Sequence, residues 1–189
     1  MSRHLLFSLI ATVLAVPAFS SSAALAQTRD DTTIIVNGTV PARCRVGEIR
    51  GAGDTFDLGV MIDTSTGLLR RDLSAPDKVV TGSFCNTQSV LTVRAVPMAP
   101  EDVTFLSSDA FTRRIDFIAT ASGWTETPAR FKTSAGENQS GAAQIQPNPT
   151  DVDLILSLSD FTANGGADRR PVASDDYVGQ VTLTLTPSF

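Results

Sequence analysis

Apolar residues recur at every second position in one segment of this chain after another, and that period restricts it to β-structure. The closing stretch, DDYVGQVTLTLTPSF, sets Tyr177, Gly179, Val181, Leu183, Leu185 and Phe189 against Gln180, Thr182, Thr184 and Thr186. Successive side chains of a strand point to opposite faces, so this pattern makes one buried face and one wet face. KVVTGSFC alternates through Val80, Gly82 and Phe84, and QSVLTVRAV through Leu91, Val93 and Ala95. RIDFIATA does so through Ile115, Phe117, Ala119 and Ala121, and VDLILSLS through Val152, Leu154, Leu156 and Leu158. Turn-forming stretches such as GAGD, STGLLRRDLSAPD, SAGENQSG, QPNPT and NGGADRRPVASDD separate them. No stretch carries a sustained helical stripe, and Thr, Val and Ser suit strands better than helices. The expected class is all-β, a Greek-key sandwich. Its last strand runs to the final residues with no helix or tail to cover it, which predicts that something else lies beside it.

The opening MSRHLLFSLIATVLAVPAFSSSAALA has a basic start, an apolar middle interrupted by Pro17, and the small-residue exit Ala24-Leu25-Ala26. This is the layout of a secretory signal peptide. Cleavage is expected before Gln27, which leaves residues 1–26 outside the fold. The apolar run is short for a membrane span and is followed by Ser20, Ser21 and Ser22. The remainder is long enough for one domain and short for two, and no composition break or internal repeat divides it. The formal net charge is -5. Removing the signal takes away Arg3 and no acidic residue, so the exported chain stays modestly acidic. With only scattered Arg and no basic stripe, nucleic acid is not expected as a partner.

Cys44 and Cys85 are the only cysteines. In an exported chain a lone pair is expected to be bonded, closing a loop whose constraint on the unfolded state stabilises the fold by about 4 kcal/mol. The spacing is far from C-x-x-C, and His4, the only histidine, leaves with the signal. That excludes Ser-His-Asp and Cys-His machinery and His-containing zinc sites from the exported chain. Asp30 with Asp31 and Asp175 with Asp176 are adjacent, so in a strand each pair would face opposite ways and reads as solvated charge. Asp116 and Glu126 are the remaining acidic candidates for a hydrolase, and neither sits in a recognisable motif. The expectation is a protein with no catalytic residues, no metal and no cofactor.

The exported chain starts with QTRDDTTIIVNGTVPARC. Gln27 to Asp31 is polar. Ile34, Val36, Gly38 and Val40 then alternate with Ile35, Asn37 and Thr39, which again reads as a strand with one apolar face. This arm, the Gly-x-Val run of GTVPARC ahead of the first cysteine, and the second cysteine in GSFC together resemble bacterial chaperone–usher pilins. FDLGV between the cysteines and the closing DDYVGQVTLTLTP are similar to the archaic, spore-coat-U-like branch of that family. Where that branch carries glycine shortly before the final tyrosine, this chain has Asp175 and Asp176.

The resemblance implies an immunoglobulin-like sandwich lacking its last strand, residues 41–189, preceded by a donor arm, residues 27–40. The gap beside the C-terminal strand would be filled by a periplasmic chaperone during transit past an outer-membrane usher, and by a neighbouring subunit's arm in the fibre. The arm would pair along Thr32 to Val40, with Ile34, Val36 and Val40 inserting and Gly38 placed where only backbone fits. Tyr177, Val181, Leu183 and Leu185 would line the acceptor groove. The implied role is a structural subunit of a surface fibre or secreted coat, in adhesion or biofilm formation. Two other readings stand beside it: Ile34 to Val46 as the first strand of a complete sandwich, and a self-contained exported sandwich that binds carbohydrate or protein through its loops, with Trp124 as a stacking platform, although a lone tryptophan beside Gly123 reads more readily as a packed or capping residue.

Overall fold

The computed structural model describes residues 31–51, 53–103 and 108–188. The expected signal peptide, its cleavage point before Gln27, Asp30 and Phe189 lie outside the described residues. The described chain falls into residues 31–39 and a body that begins at Val40.

The body is built of strands β1 (Cys44–Arg45), β2 (Glu48–Ile49), β3 (Lys78–Cys85), β4 (Ser89–Pro100), β5 (Phe111–Thr112), β6 (Ile115–Ser122), β7 (Ala129–Lys132), β8 (Ala143–Gln146), β9 (Thr150–Ala163), β10 (Arg170–Pro171) and β11 (Tyr177–Pro187). In one half β1 and β2 both pair with β3, β3 pairs with β9, β9 with β6, and β6 with β7, all antiparallel. In the other half β11 and β8 pair antiparallel with β4. A single register pair, Met98 with Ile115, joins the halves into one curled sheet. The short ladder of β5 and β10 is parallel and stands apart. The expected all-β sandwich is therefore what the chain forms. The order β1/β2, β3, β9, β6 against β4, β11 follows the A-B-E-D and C-F pairing of an immunoglobulin sandwich.

The core lies between the halves and draws on both. Leu91 and Val93 of β4 meet Val80 and Cys85 of β3, Phe117, Ala119 and Ala121 of β6, Phe131 of β7, and Leu154 and Leu156 of β9. Removing each large aliphatic or aromatic side chain from water contributes about 1.5–3 kcal/mol, which is why these rows hold the sheets together. Two buried hydroxyls are satisfied by contacts from distant segments: Ser83 Oγ accepts the Gly47 N–H at 3.0 Å, and Ser89 Oγ accepts the Trp124 indole N–H at 3.1 Å.

Two of the expected faces are different in the structure. On β3 the buried row is not Val80, Gly82 and Phe84 but Val80, Ser83 and Cys85, with Gly82 exposed and Phe84 half-buried. The register against β9 shifts between Val80 and Ser83, where Gly82 has a φ of 75°. That bulge inserts an extra residue in a conformation glycine tolerates, and every side chain beyond it changes face. On β9 the inward row is Leu154, Leu156 and the half-buried Leu158, while Val152 near the strand's start is 38% exposed.

Candidate functional site

β11 pairs with β4 from Tyr177 opposite Pro100 to Pro187 opposite Ser89, with a register shift between Val178 and Gln180 that leaves Gly179, expected on the inward row, exposed. Among the described residues no strand pairs with its other edge. Its inward row of Val181, Leu183 and Leu185 packs on the core but is only half-buried, while Thr182, Thr184 and Thr186 face water. Such an edge offers a line of main-chain N–H and C=O groups beside a row of incompletely covered apolar side chains.

The first strands of the body add a second set of such residues. Cys44, Val46, Ile49 and Phe56 pack against the same core and are again half-covered, as are Met98, Leu158 and Phe161. β1 and β11 come within 8 Å between Cα atoms, yet no register pair joins them. Local chemistry holds β1 in place. Cys44 and Cys85 are register partners and form a disulfide, as expected from the sequence. Asn86, just past β3, accepts the Arg43 N–H at 2.7 Å through Oδ1 and donates through Nδ2 to the Pro41 carbonyl at 2.9 Å. Gly47 lies so close to the Thr81 carbonyl that no Cβ fits there, which seats the turn between β1 and β2 on β3. An extended apolar segment is what this arrangement is chemically suited to receive: edge hydrogen bonds from β11 and contacts from the half-covered side chains.

The residues of the expected donor arm are exposed and lie outside any strand. Residues 31–43 contain no strand or helix. Ile34 is 82% exposed, Val36 91% and Val40 86%, and Ile35 of the opposite face is exposed as well. No atom outside its chain neighbours lies within 4 Å of where a Gly38 Cβ would stand. The expected strand over Ile34, Val36, Gly38 and Val40 is thus absent, because alternation supplies a face but not the partner whose hydrogen bonds make a strand. For the reading of Ile34 to Val46 as an ordinary first strand, only Cys44 and Arg45 are in a strand.

Tyr177 was expected to line the groove. It is half-buried at the start of β11, and its hydroxyl donates to the Val172 carbonyl at 2.9 Å, tying the strand to the segment before it. This is the geometry of the tyrosine corner found in immunoglobulin-like sandwiches. Burial pushes the phenol above its ordinary value.

Trp124 is 1% exposed and belongs to the core, so it presents no stacking platform. Its indole is held by Ser89, and its carbonyl accepts the Gln146 side-chain amide at 2.6 Å. Asp116 is buried too. Its Oδ1 accepts from Arg114 at 2.9 and 2.8 Å and from the Thr133 hydroxyl at 3.0 Å, and its Oδ2 accepts from Asn164 at 3.1 Å. A carboxylate so fully engaged ties β6 to the segments after β7 and β9. Glu126 stands apart on the surface. The loop from Val60 to Asp72 encloses a cleft of about 810 Å³. Asp63 there is held below its usual range by hydrogen bonds from Ser65, first from its hydroxyl.

Sequence reasoning placed Val181, Leu183 and Leu185 on one face but did not single out Val46, Ile49, Phe56 or Phe161. FDLGV marked Phe56 as a feature, while nothing local signals that Val46 and Ile49 meet the same core. No protein-family model, curated protein or solved structure matches this chain.

Proposed function

We propose that this chain is a non-catalytic structural subunit of an exported fibre or coat, of the chaperone–usher pilin type, assembled by donation of the N-terminal arm. The observation that carries the reading is a complementarity between two parts of one sequence. Ile34, Val36 and Val40 are exposed apolar residues at alternate positions in an arm with no strand of its own. Val181, Leu183 and Leu185 are half-covered apolar residues at alternate positions on a strand whose second edge is unpaired among the described residues. An arm from a neighbouring subunit, laid along β11, supplies the missing hydrogen bonds and covers the row. A periplasmic chaperone does the same before assembly, an outer-membrane usher passes the subunit on, and the polymer ends at the cell surface.

Replacing Val36 by Asp tests this. At each junction it buries a carboxylate without a partner, which costs several kcal/mol. The expected outcome is loss of polymer in the size distribution with an unchanged melting transition of the subunit. A variant that unfolds as a monomer, or that polymerises like the parent, overturns the reading.

A further inference from the structure

The sequence holds two Asn-Gly pairs, Asn37-Gly38 and Asn164-Gly165, and the structure gives them opposite settings. We infer that Asn37 is a self-modifying site that deamidates through its own backbone while Asn164 is locked against the same reaction. The Gly38 nitrogen attacks Asn37 Cγ. A C–N bond forms, the bond from Cγ to Nδ2 breaks, and the amide nitrogen departs as ammonia with the proton from Gly38. Water then opens the resulting cyclic imide at either carbonyl, giving aspartate or an isoaspartyl linkage that runs through the side-chain carbon.

The reaction needs a bare nitrogen after the asparagine and a chain free to bring it onto Cγ. Gly38 has no side chain to shield the nitrogen and no neighbours where one would be, and residues 31–43 are outside any strand or helix. Asn37 and its neighbours on either side are exposed. Asn164 instead spends its side-chain N–H on the buried Asp116 carboxylate at 3.1 Å and its backbone N–H on the Arg114 carbonyl at 2.9 Å. Gly165 is fixed at a φ of 89° against the Arg169 guanidinium. Turning the Asn164 side chain toward its own backbone breaks its bond to Asp116, so it reacts only when that turn opens.

The consequence at Asn37 is large because of its position. An isoaspartyl linkage adds a backbone atom and a carboxylate between Val36 and Val40, which throws these two side chains out of the alternation a strand requires. A subunit left with a free arm therefore loses the ability to donate it as it ages. This consequence rests on the strand-donating reading above; the chemistry does not.

Purified whole chain is aged in warm, mildly alkaline buffer, digested, and the fragments bearing Asn37 and Asn164 are followed by mass for the exchange of ammonia for water. Asn37 should convert on the order of tenfold or more faster than Asn164, the ratio set by local protection. Its product should be labelled by an isoaspartyl methyltransferase, and Gly38→Val should suppress the conversion by shielding the nitrogen. Equal rates at the two sites, a faster Asn164, or an undiminished rate in Gly38→Val overturns the inference whether or not polymer ever forms. Size distributions of aged and fresh chains read the consequence separately: aged arms that assemble as fully as fresh ones overturn it.

Discussion

Leu91 of β4 and Leu185 of β11 are register partners of the same residue type on the same face of one sheet, and only Leu91 is fully buried. The difference is one of neighbours. β4 is flanked by β11 on one side and by β8 at Leu91 on the other, whereas β11 has β4 alone among the described residues. Leu183 repeats the relation against the fully buried Val93. Leu183 therefore belongs to the half-covered row and not, as the alternation alone would have it, to the sealed core.

These leucines allow a same-chemistry comparison. Leu91→Ala should cost about 2–5 kcal/mol in the isolated subunit, as full core truncations do. Leu185→Ala should cost clearly less, because part of its surface is already in water. If β11 is covered by an incoming strand, the cost at Leu185 should rise toward that at Leu91 in the assembled state. Denaturant unfolding of both variants, alone and in polymer, measures this.

The disulfide joins residues 41 apart in sequence and straps β1 to β3. Reducing it, or replacing both cysteines by serine, should lower stability by about 4 kcal/mol through the freed unfolded state. Melting with and without reductant checks the size of the loss, and thiol labelling confirms the bonded state in exported material.

Asp116 serves the fold. Replacing it by Ala removes an acceptor from Arg114, Thr133 and Asn164 and should destabilise by about 2–3 kcal/mol, the lower end for a buried charge network because Arg114 is partly in water and keeps the Thr133 carbonyl, and the Thr133 hydroxyl keeps the Phe117 carbonyl. Thermal unfolding measures it. An unchanged melting transition would contradict the structural role.

Tyr177 makes stability depend on alkaline pH. Its folded-state pKa lies above the unfolded value, chiefly through burial, so the neutral form is favoured by folding. Its contribution is complete below the unfolded value of about 10 and is lost as pH rises through the folded one. Ionisation also removes the proton donated to Val172. Melting temperature should fall over that alkaline range more steeply in the parent than in Tyr177→Phe. Tyr177 is the only tyrosine in the chain, so the phenolate absorbance titration belongs to it alone.

The alternation of Leu91 with Val93, of Phe117 with Ala119 and of Leu154 with Leu156 was legible in the chain, and with it the all-β class, because the two-residue period of a strand is a local property of the backbone. So was the pairing of Cys44 with Cys85, since there was no third cysteine to choose. The change of face at Gly82 was not: a bulge depends on how β3 meets β9, a strand far away in sequence. Trp124 is interior, as its packed reading expects, whereas Asp116 falls on the wet side of its strand's alternation and is nonetheless buried; Ser89 and Asn164, which satisfy their polar atoms, are brought to them only by the fold. The same reason separates Leu91 from Leu185, and Ile34 from Ile115. Local pattern says which side of a segment is apolar; whether that side is covered is a matter of which other strand lies against it, and only the tertiary structure decides that.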